Sequence, residues 1–213
     1  MAAPLKLYGY FRSSAAYRVR IALNLKGLAY DQVTYDLRRK AEKGGAYAAL
    51  NPQKLVPTLV TEDGALLTQS LAILEWLEDA HPEPALLPEN RTDRAHVRAM
   101  AALIACDIHP VNNLRILNAL RDDLDASDDQ VSQWIAQWMG DGFDALERLI
   151  AGSFCFGDAP TLADCCLAPQ VYSAQRFKID LKPWPKILAV AEACDAIPAF
   201  YVARPEMQPD ADR

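Results

Sequence analysis

Apolar positions are arranged in two ways along this chain. Up to Ala80 they form short runs broken by helix-spaced segments; beyond Arg91 they recur almost only at helix spacing. Leu5–Gly9 is a short apolar run suited to a buried strand. Arg18–Lys26 is helical, with Val19, Ala22 and Leu23 on one face and Gly27 as the stop signal. Tyr30–Tyr35 reads as a second strand, making a right-handed β-α-β unit with a parallel pair. A polar stretch follows, with a short helix ending before Asn51-Pro52. Val56–Val60 is a strand entered through Pro57, where a missing N–H is tolerated, and Glu62-Asp63-Gly64 turns it back into Ala65–Leu67. Gln69-Ser70 then opens a helix with Leu71, Leu74 and Leu77 at helical spacing. The predicted order is β-α-β-α-β-β-α.

The stretch His81–Arg91 (HPEPALLPENR) carries three prolines and no periodicity. It places a linker at 83–91, between an α/β domain at 1–82 and an all-α domain at 92–213. In the latter, Val97, Met100, Ala101 and Ile104 form one core stripe, and Val131, Trp134, Ile135, Trp138 and Leu146 form another. Pro110 should end or kink the first of these helices. Thr161-Leu162-Ala163-Asp164 has the spacing of a capping box before an apolar run, so Thr161 should start a buried helix.

Composition narrows the function classes. The chain has 213 residues, 51% hydrophobic and 23% charged, which suits an ordinary soluble protein of one large or two small domains. A net charge of -6 argues against nucleic acid, and Arg38-Arg39-Lys40 reads as a solvated loop. No apolar run is long enough to span a membrane, and MAAPLKLYGYFR lacks the order of a secretory signal. Cys106, Cys155, Cys165, Cys166 and Cys194 form an irregular set without a C-x-x-C pair, and the three histidines are scattered. Neither a metal site nor a disulfide framework is expected; reduced thiols in the cytoplasm are.

The richest chemistry lies where the first strand pattern runs into the first helix pattern, at Arg12-Ser13-Ser14. A helix N-terminus offers free N–H groups and a positive dipole end, both suited to an anion such as a thiolate. Ala15 and Ala16 leave room for a ligand. A serine here has two uses: to cap the helix, or to hold that anion.

The β-α-β plus β-β-α order, with proline opening the third strand, resembles the thioredoxin superfamily. With its helical second half the chain resembles a cytosolic glutathione transferase. The segments FRSSAAYRVRIALNLKG, ALNPQKLVPTLV, TQSLAILEWLE, LLPENR and GDAPTLADCCLAPQVYSAQRFKIDL are similar to those of the zeta class, over nearly the whole length. That class commonly has cysteine after the two serines; this chain has Ala15. No role of that cysteine carries over, and a thioredoxin-like redox reaction loses its thiol.

The resemblance implies glutathione as cofactor. It places the thiol at Ser13, with Ser14 as a second hydroxyl, and pairs the cysteinyl part with the backbone of Val56 before a cis Pro57. It assigns the γ-glutamyl carboxylate to Gln69 and Ser70, where Ser70 is also a candidate N-cap, and the glycyl carboxylate to Lys54. His109 and Asn113, read as a helical turn apart on one face, are expected to line a cleft between the halves or to serve a partner subunit's glutathione. Arg12, Arg115 and Arg176 are the candidate clamps for substrate carboxylates, each otherwise a surface charge. The implied reaction is cis–trans isomerisation of a small cis-alkene dicarboxylate by a cytoplasmic homodimer. Zeta-class enzymes include maleylacetoacetate isomerase, while Arg115 beside CDIHPVNN is closer to the bacterial maleylpyruvate isomerases. A glutathione-transferase-like binding module without catalysis is the alternative from another class.

Overall fold

Alternation along Leu5–Gly9 is what makes the first strand. In the computed structural model, which describes residues 4–212, Leu5, Leu7 and Gly9 of this strand (β1) are buried while Lys6 and Tyr8 are half-buried. β2 (Tyr30–Thr34) pairs with it in parallel, Leu5 opposite Tyr30 and Gly9 opposite Thr34. The crossover is α1 (Ser14–Leu25), which ends at Lys26 and Gly27, the latter at φ +66° where glycine is the natural stop. After α2 (Gly45–Leu50), β3 (Thr58–Val60) runs antiparallel to β1, and β4 (Leu66–Thr68) closes a hairpin on it. The sheet order is β2-β1-β3-β4, and α3 (Ser70–Ala80) follows. This is the predicted β-α-β-α-β-β-α order.

α1 departs from its pattern in two ways. It begins at Ser14, four residues before Arg18, where the helical pattern starts, because Ser13 caps it. Every residue from Ala16 to Leu23 is buried, where the sequence marked a single apolar face. The reason is a second cover: α10 (Pro198–Ala203) packs on α1, with Arg20 Nε donating to Ala203 C=O at 3.0 Å and Asn24 Nδ2 to Ala199 C=O at 3.1 Å. Accordingly the chain from Asp195 onward groups with the segment ending at Leu86, and the second compact unit is Leu87–Cys194. The pattern had assigned everything after 92 to the helical half; residues beyond 195 instead complete the first unit, because α1 carries apolar residues on both sides.

In the second unit Asn90 caps α4 (Arg91–Ala102), accepting from the N–H groups of Thr92 and Asp93. The helix widens into a π turn over Leu103–Ile108 and resumes as α5 (His109–Val111). Pro110 lies just after this wide turn, and the helix ends two residues later at Asn112. α6 (Leu114–Asp122) and α7 (Asp128–Leu149) follow, the latter opened by a Ser127/Gln130 capping box. α7 buries Val131, Ile135, Met139, Phe143 and Leu146; Trp138, expected in the core, is 37% exposed, and Trp134 is half-buried. These tryptophans flank the true stripe, where Trp134 Nε1 finds Val111 C=O at 3.0 Å. A two-residue parallel pair, β5 (Ala151–Gly152) and β6 (Phe156–Gly157), leads to α8 (Leu162–Arg176) and α9 (Pro185–Asp195). Thr161 caps α8 as expected, and the carboxylate of Asp164, fully buried, accepts from Thr161 N–H, Thr161 Oγ1 and Cys155 N–H, each at 2.7 Å.

Candidate active site

Sheet register gathers three chain junctions at one edge. Thr58 opens β3 opposite Tyr8 of β1 and Thr68 of β4. The turn leaving β1 (Tyr10–Ser13), the Val56-Pro57 approach to β3 and the Gln69-Ser70 entry to α3 thus lie side by side.

At the first junction Ser13 N–H donates to Tyr10 C=O at 3.0 Å, and Ser13 Oγ accepts from Ala16 N–H at 3.2 Å. The two uses of this serine are compatible: capping occupies an acceptor lone pair, while the hydroxyl proton is a donor for an anion. Ser14 begins the helix and is half-buried. Gly9 lets strand and helix approach, since a Cβ there would meet Ala16 Cβ at 3.3 Å. Arg12 is half-buried, its guanidinium 5.1 Å from the Phe11 ring centroid and donating to Tyr10 Oη at 3.2 Å.

The second junction is a braced loop. The Val56-Pro57 bond is cis, as the resemblance implied. Among the described residues, the Val56 backbone joins neither the ladder nor the turn hydrogen bonds. An extended peptide can pair with such an edge. The brace is Asn51, whose Nδ2 donates to Leu55 C=O at 2.7 Å and to Thr58 Oγ1 at 3.3 Å. Tyr47 Oη donates to the same Leu55 C=O at 2.7 Å; burial pushes its phenol above the ordinary value, which keeps that proton in place. Lys54 is exposed, in the left-handed region at φ +56°.

At the third junction Ser70 is the first helical residue, not the cap expected of it. The capping position falls on Gln69, whose φ of +68° and ψ of +116° lie outside the regions open to ordinary residues, a strain of about 1–3 kcal/mol. Gln69 Nε2 donates to Gln53 Oε1 at 2.8 Å, linking the second and third junctions. The Ser70 hydroxyl is buried and accepts from Arg18 Nη1 at 3.2 Å.

The second unit carries the remaining candidates. His109 is half-buried at the start of α5. Asn113 does not share a face with it, because the helix stops at Asn112. Asn113 is extended and caps α6, its Oδ1 accepting from Arg115 N–H at 2.9 Å. Asn112 Nδ2 bonds back to Ile108 C=O at 3.0 Å, so two adjacent asparagines divert the backbone from helix. Arg115 is exposed in the first turn of α6. Arg176 ends α8, exposed, with its guanidinium 4.3 Å from the Phe177 ring centroid.

Sequence reasoning missed Arg18, Asn51 and Tyr47. Arg18 and Arg20 had a readable signal: two arginines inside an apolar helix run, Arg-Val-Arg-Ile. Asn51 had none, since Asn-Pro reads only as a helix end.

A thioredoxin-like α/β unit with a cis-proline edge beside a serine-capped helix, together with a helical unit, defines the glutathione transferase class. The chain belongs to that family: its residues 12–80 match the glutathione S-transferase N-terminal domain and 128–193 the C-terminal domain. It is 49% identical to the maleylacetoacetate isomerase of Pseudomonas aeruginosa, over 97% of this chain and 98% of that one. It matches the holo structure of a maleylpyruvate isomerase, a bacterial zeta-class glutathione S-transferase, at TM-score 0.95 and 48% identity, covering 97% of this chain and 100% of that one. Maleylacetoacetate isomerase from Anaeromyxobacter dehalogenans 2CP-1, solved with dicarboxyethyl glutathione and citrate in its active site, matches at TM-score 0.88 and 46% identity, covering 98% and 94%.

Proposed function

We propose that this chain is a glutathione-dependent cis–trans isomerase of small cis-alkene dicarboxylates, with maleylacetoacetate as substrate. The observation that carries the reading is the shared sheet edge, where the helix-capping Ser13 hydroxyl, an unladdered Val56 backbone and the start of α3 stand together. These groups match glutathione, which presents a thiol, a peptide backbone and a carboxylate. The Anaeromyxobacter relative holds dicarboxyethyl glutathione, and thiol addition to a cis-alkene dicarboxylate would give a compound of that kind. Maleylpyruvate is the second reading, because an isomerase of that substrate is just as similar, 49% identical over 97% of this chain.

When bound, glutathione supplies a thiolate that adds reversibly to the double bond, so the bond can turn before the sulfur leaves. The protein's part begins with Ser13, whose O–H favours thiolate over thiol by hydrogen bonding to the charged form; Ser14 is the second hydroxyl. The backbone of Val56 before Pro57 orients the cysteinyl peptide. Ser70, Gln69 and the first N–H groups of α3 receive the γ-glutamyl carboxylate, and Lys54 the glycyl one. His109 and the Nδ2 of Asn113 are assigned to glutathione as well. Arg12, Arg115 and Arg176 are assigned to the substrate's carboxylates and to the negative charge that addition pushes onto its carbonyl oxygen. The reading includes a homodimer in the cytoplasm, a compartment that keeps free thiols such as these five reduced.

The test is steady-state isomerisation of maleylacetoacetate and maleylpyruvate with Arg12→Ala, Arg115→Ala and Arg176→Ala. A lost carboxylate clamp should raise KM about tenfold or more with less change in kcat. An unchanged KM removes that arginine from the substrate site. The substrate with the higher kcat/KM in the parent protein decides between the two.

A further inference from the structure

The turn that carries Ser13 is held by the far end of the chain. Asp210 Oδ2 accepts from Phe11 N–H at 3.0 Å, across a separation of 199 residues. That N–H belongs to the Tyr10–Phe11 peptide, and the carbonyl of the same peptide accepts from Ser13 N–H at 3.0 Å. The next carbonyl, that of Phe11, accepts from Arg20 Nη2 at 2.9 Å, and the Arg20 side chain also holds Ala203 C=O. Two successive peptide planes before Ser13 are therefore fixed by groups that depend on the C-terminal segment. Gln208 shapes that segment, donating from Nε2 to Val202 C=O at 2.9 Å and to Arg204 C=O at 2.8 Å.

We propose that Asp210 is a positioning residue for thiol activation: it fixes the Tyr10–Phe11 peptide, and through it the direction of the Ser13 hydroxyl. The inference rests on the reading that Ser13 holds the glutathione sulfur. Three features carry it. A carboxylate is a charge-assisted acceptor, stronger than the neutral acceptor a turn of this kind ordinarily uses. Polarising the peptide from its N–H end strengthens its carbonyl as an acceptor for Ser13 N–H. The other oxygen, Asp210 Oδ1, is buried and takes no hydrogen bond from the described residues, so the carboxylate is kept there at a desolvation cost. The neighbouring Asp212 is different. It pairs with Arg38 on the open surface, with both side chains about half exposed, where ion pairs contribute little.

The readout is the pKa of the bound glutathione thiol, from its ultraviolet thiolate absorbance against pH, in four full-length variants. Ser13→Ala should raise it clearly. Asp210→Ala should raise it by about half to one unit, a loss of roughly three- to tenfold in thiolate below that pKa. Asp210→Asn should restore part of it, because the amide oxygen still accepts from Phe11 N–H but without the added strength of the carboxylate's charge. Asp212→Ala should leave it unmoved. If Asp210→Ala does not fold, Asp210→Ser, whose shorter side chain draws the oxygen back from Phe11 N–H, is read the same way. A shift with Ser13→Ala and none with Asp210→Ala or Asp210→Ser overturns the inference. So does an Asp210→Asn variant as impaired as Asp210→Ala, since charge rather than the hydrogen bond would then be at work. No shift with Ser13→Ala overturns the reading of the sulfur site itself.

Discussion

Arg18, 1% exposed within α1, donates from Nη1 to the buried Ser70 Oγ at 3.2 Å at the start of α3. Because the oxygen receives the arginine's N–H, its own proton is directed elsewhere and serves as a donor. One hydrogen bond thus joins two helix starts of the proposed glutathione site, and sets a hydroxyl to receive a carboxylate.

Replacing Ser70 by alanine removes an acceptor from a buried guanidinium and a donor from the ligand. The expected cost is about 1–3 kcal/mol of folding stability. The glutathione KM should rise together with it. Ser70→Thr, which keeps the hydroxyl, should recover both. Denaturant unfolding and glutathione titrations check this; full stability in the alanine variant would deny Ser70 its structural part.

A second buried charge can be tested by stability alone. Lys26 Nζ, with a side chain shielded from solvent, donates to Glu78 Oε2 at 2.9 Å, His81 C=O at 2.6 Å and Pro84 C=O at 2.9 Å. It ties the end of α1 to the segment leaving α3. Lys26→Met takes the cation away from a buried carboxylate and should cost about 3–5 kcal/mol, read as a fall in denaturation midpoint. Adding Glu78→Met should recover part of the loss, because the stranded charge goes with it. A double variant less stable than Lys26→Met would contradict the ion-pair account.

Thiol reactivity separates the five cysteines. Cys106 is exposed, while Cys155, Cys165, Cys166 and Cys194 are buried. Burial also pushes the Cys155 thiol well above its ordinary value, which keeps it protonated and inert. An Ellman titration of the folded protein should show one fast thiol, abolished by Cys106→Ser, and four more only after unfolding. Rapid labelling of a second thiol would contradict the packing around α8.

Much of this was written in the sequence. The short apolar run at Leu5–Gly9, the Asp63-Gly64 turn and Pro57 at a strand entry marked the sheet and its edge, because local pattern and turn chemistry determined them. The Arg12-Ser13-Ser14 junction was legible for the same reason. What escaped depended on contacts distant in sequence. α1 looked one-faced until α10 covered its other side, and Asp210 reaches Phe11 across the whole chain. The shared face of His109 and Asn113 failed on a local competition: asparagine side chains bond to nearby backbone as readily as the helix does. Trp138 failed because helical spacing places it next to the buried stripe, and spacing alone does not mark where a stripe ends.

The central claim is that glutathione acts catalytically on a cis-alkene dicarboxylate. The most direct measurement follows the vinyl proton signals of maleylacetoacetate by NMR with the protein and substoichiometric glutathione. The account predicts full conversion to the trans isomer with glutathione recovered unchanged, no enzymatic conversion in its absence, and severe slowing by Ser13→Ala. Conversion that ignores glutathione would contradict it. So would glutathione consumed in proportion to substrate, or no glutathione-dependent conversion of either this substrate or maleylpyruvate.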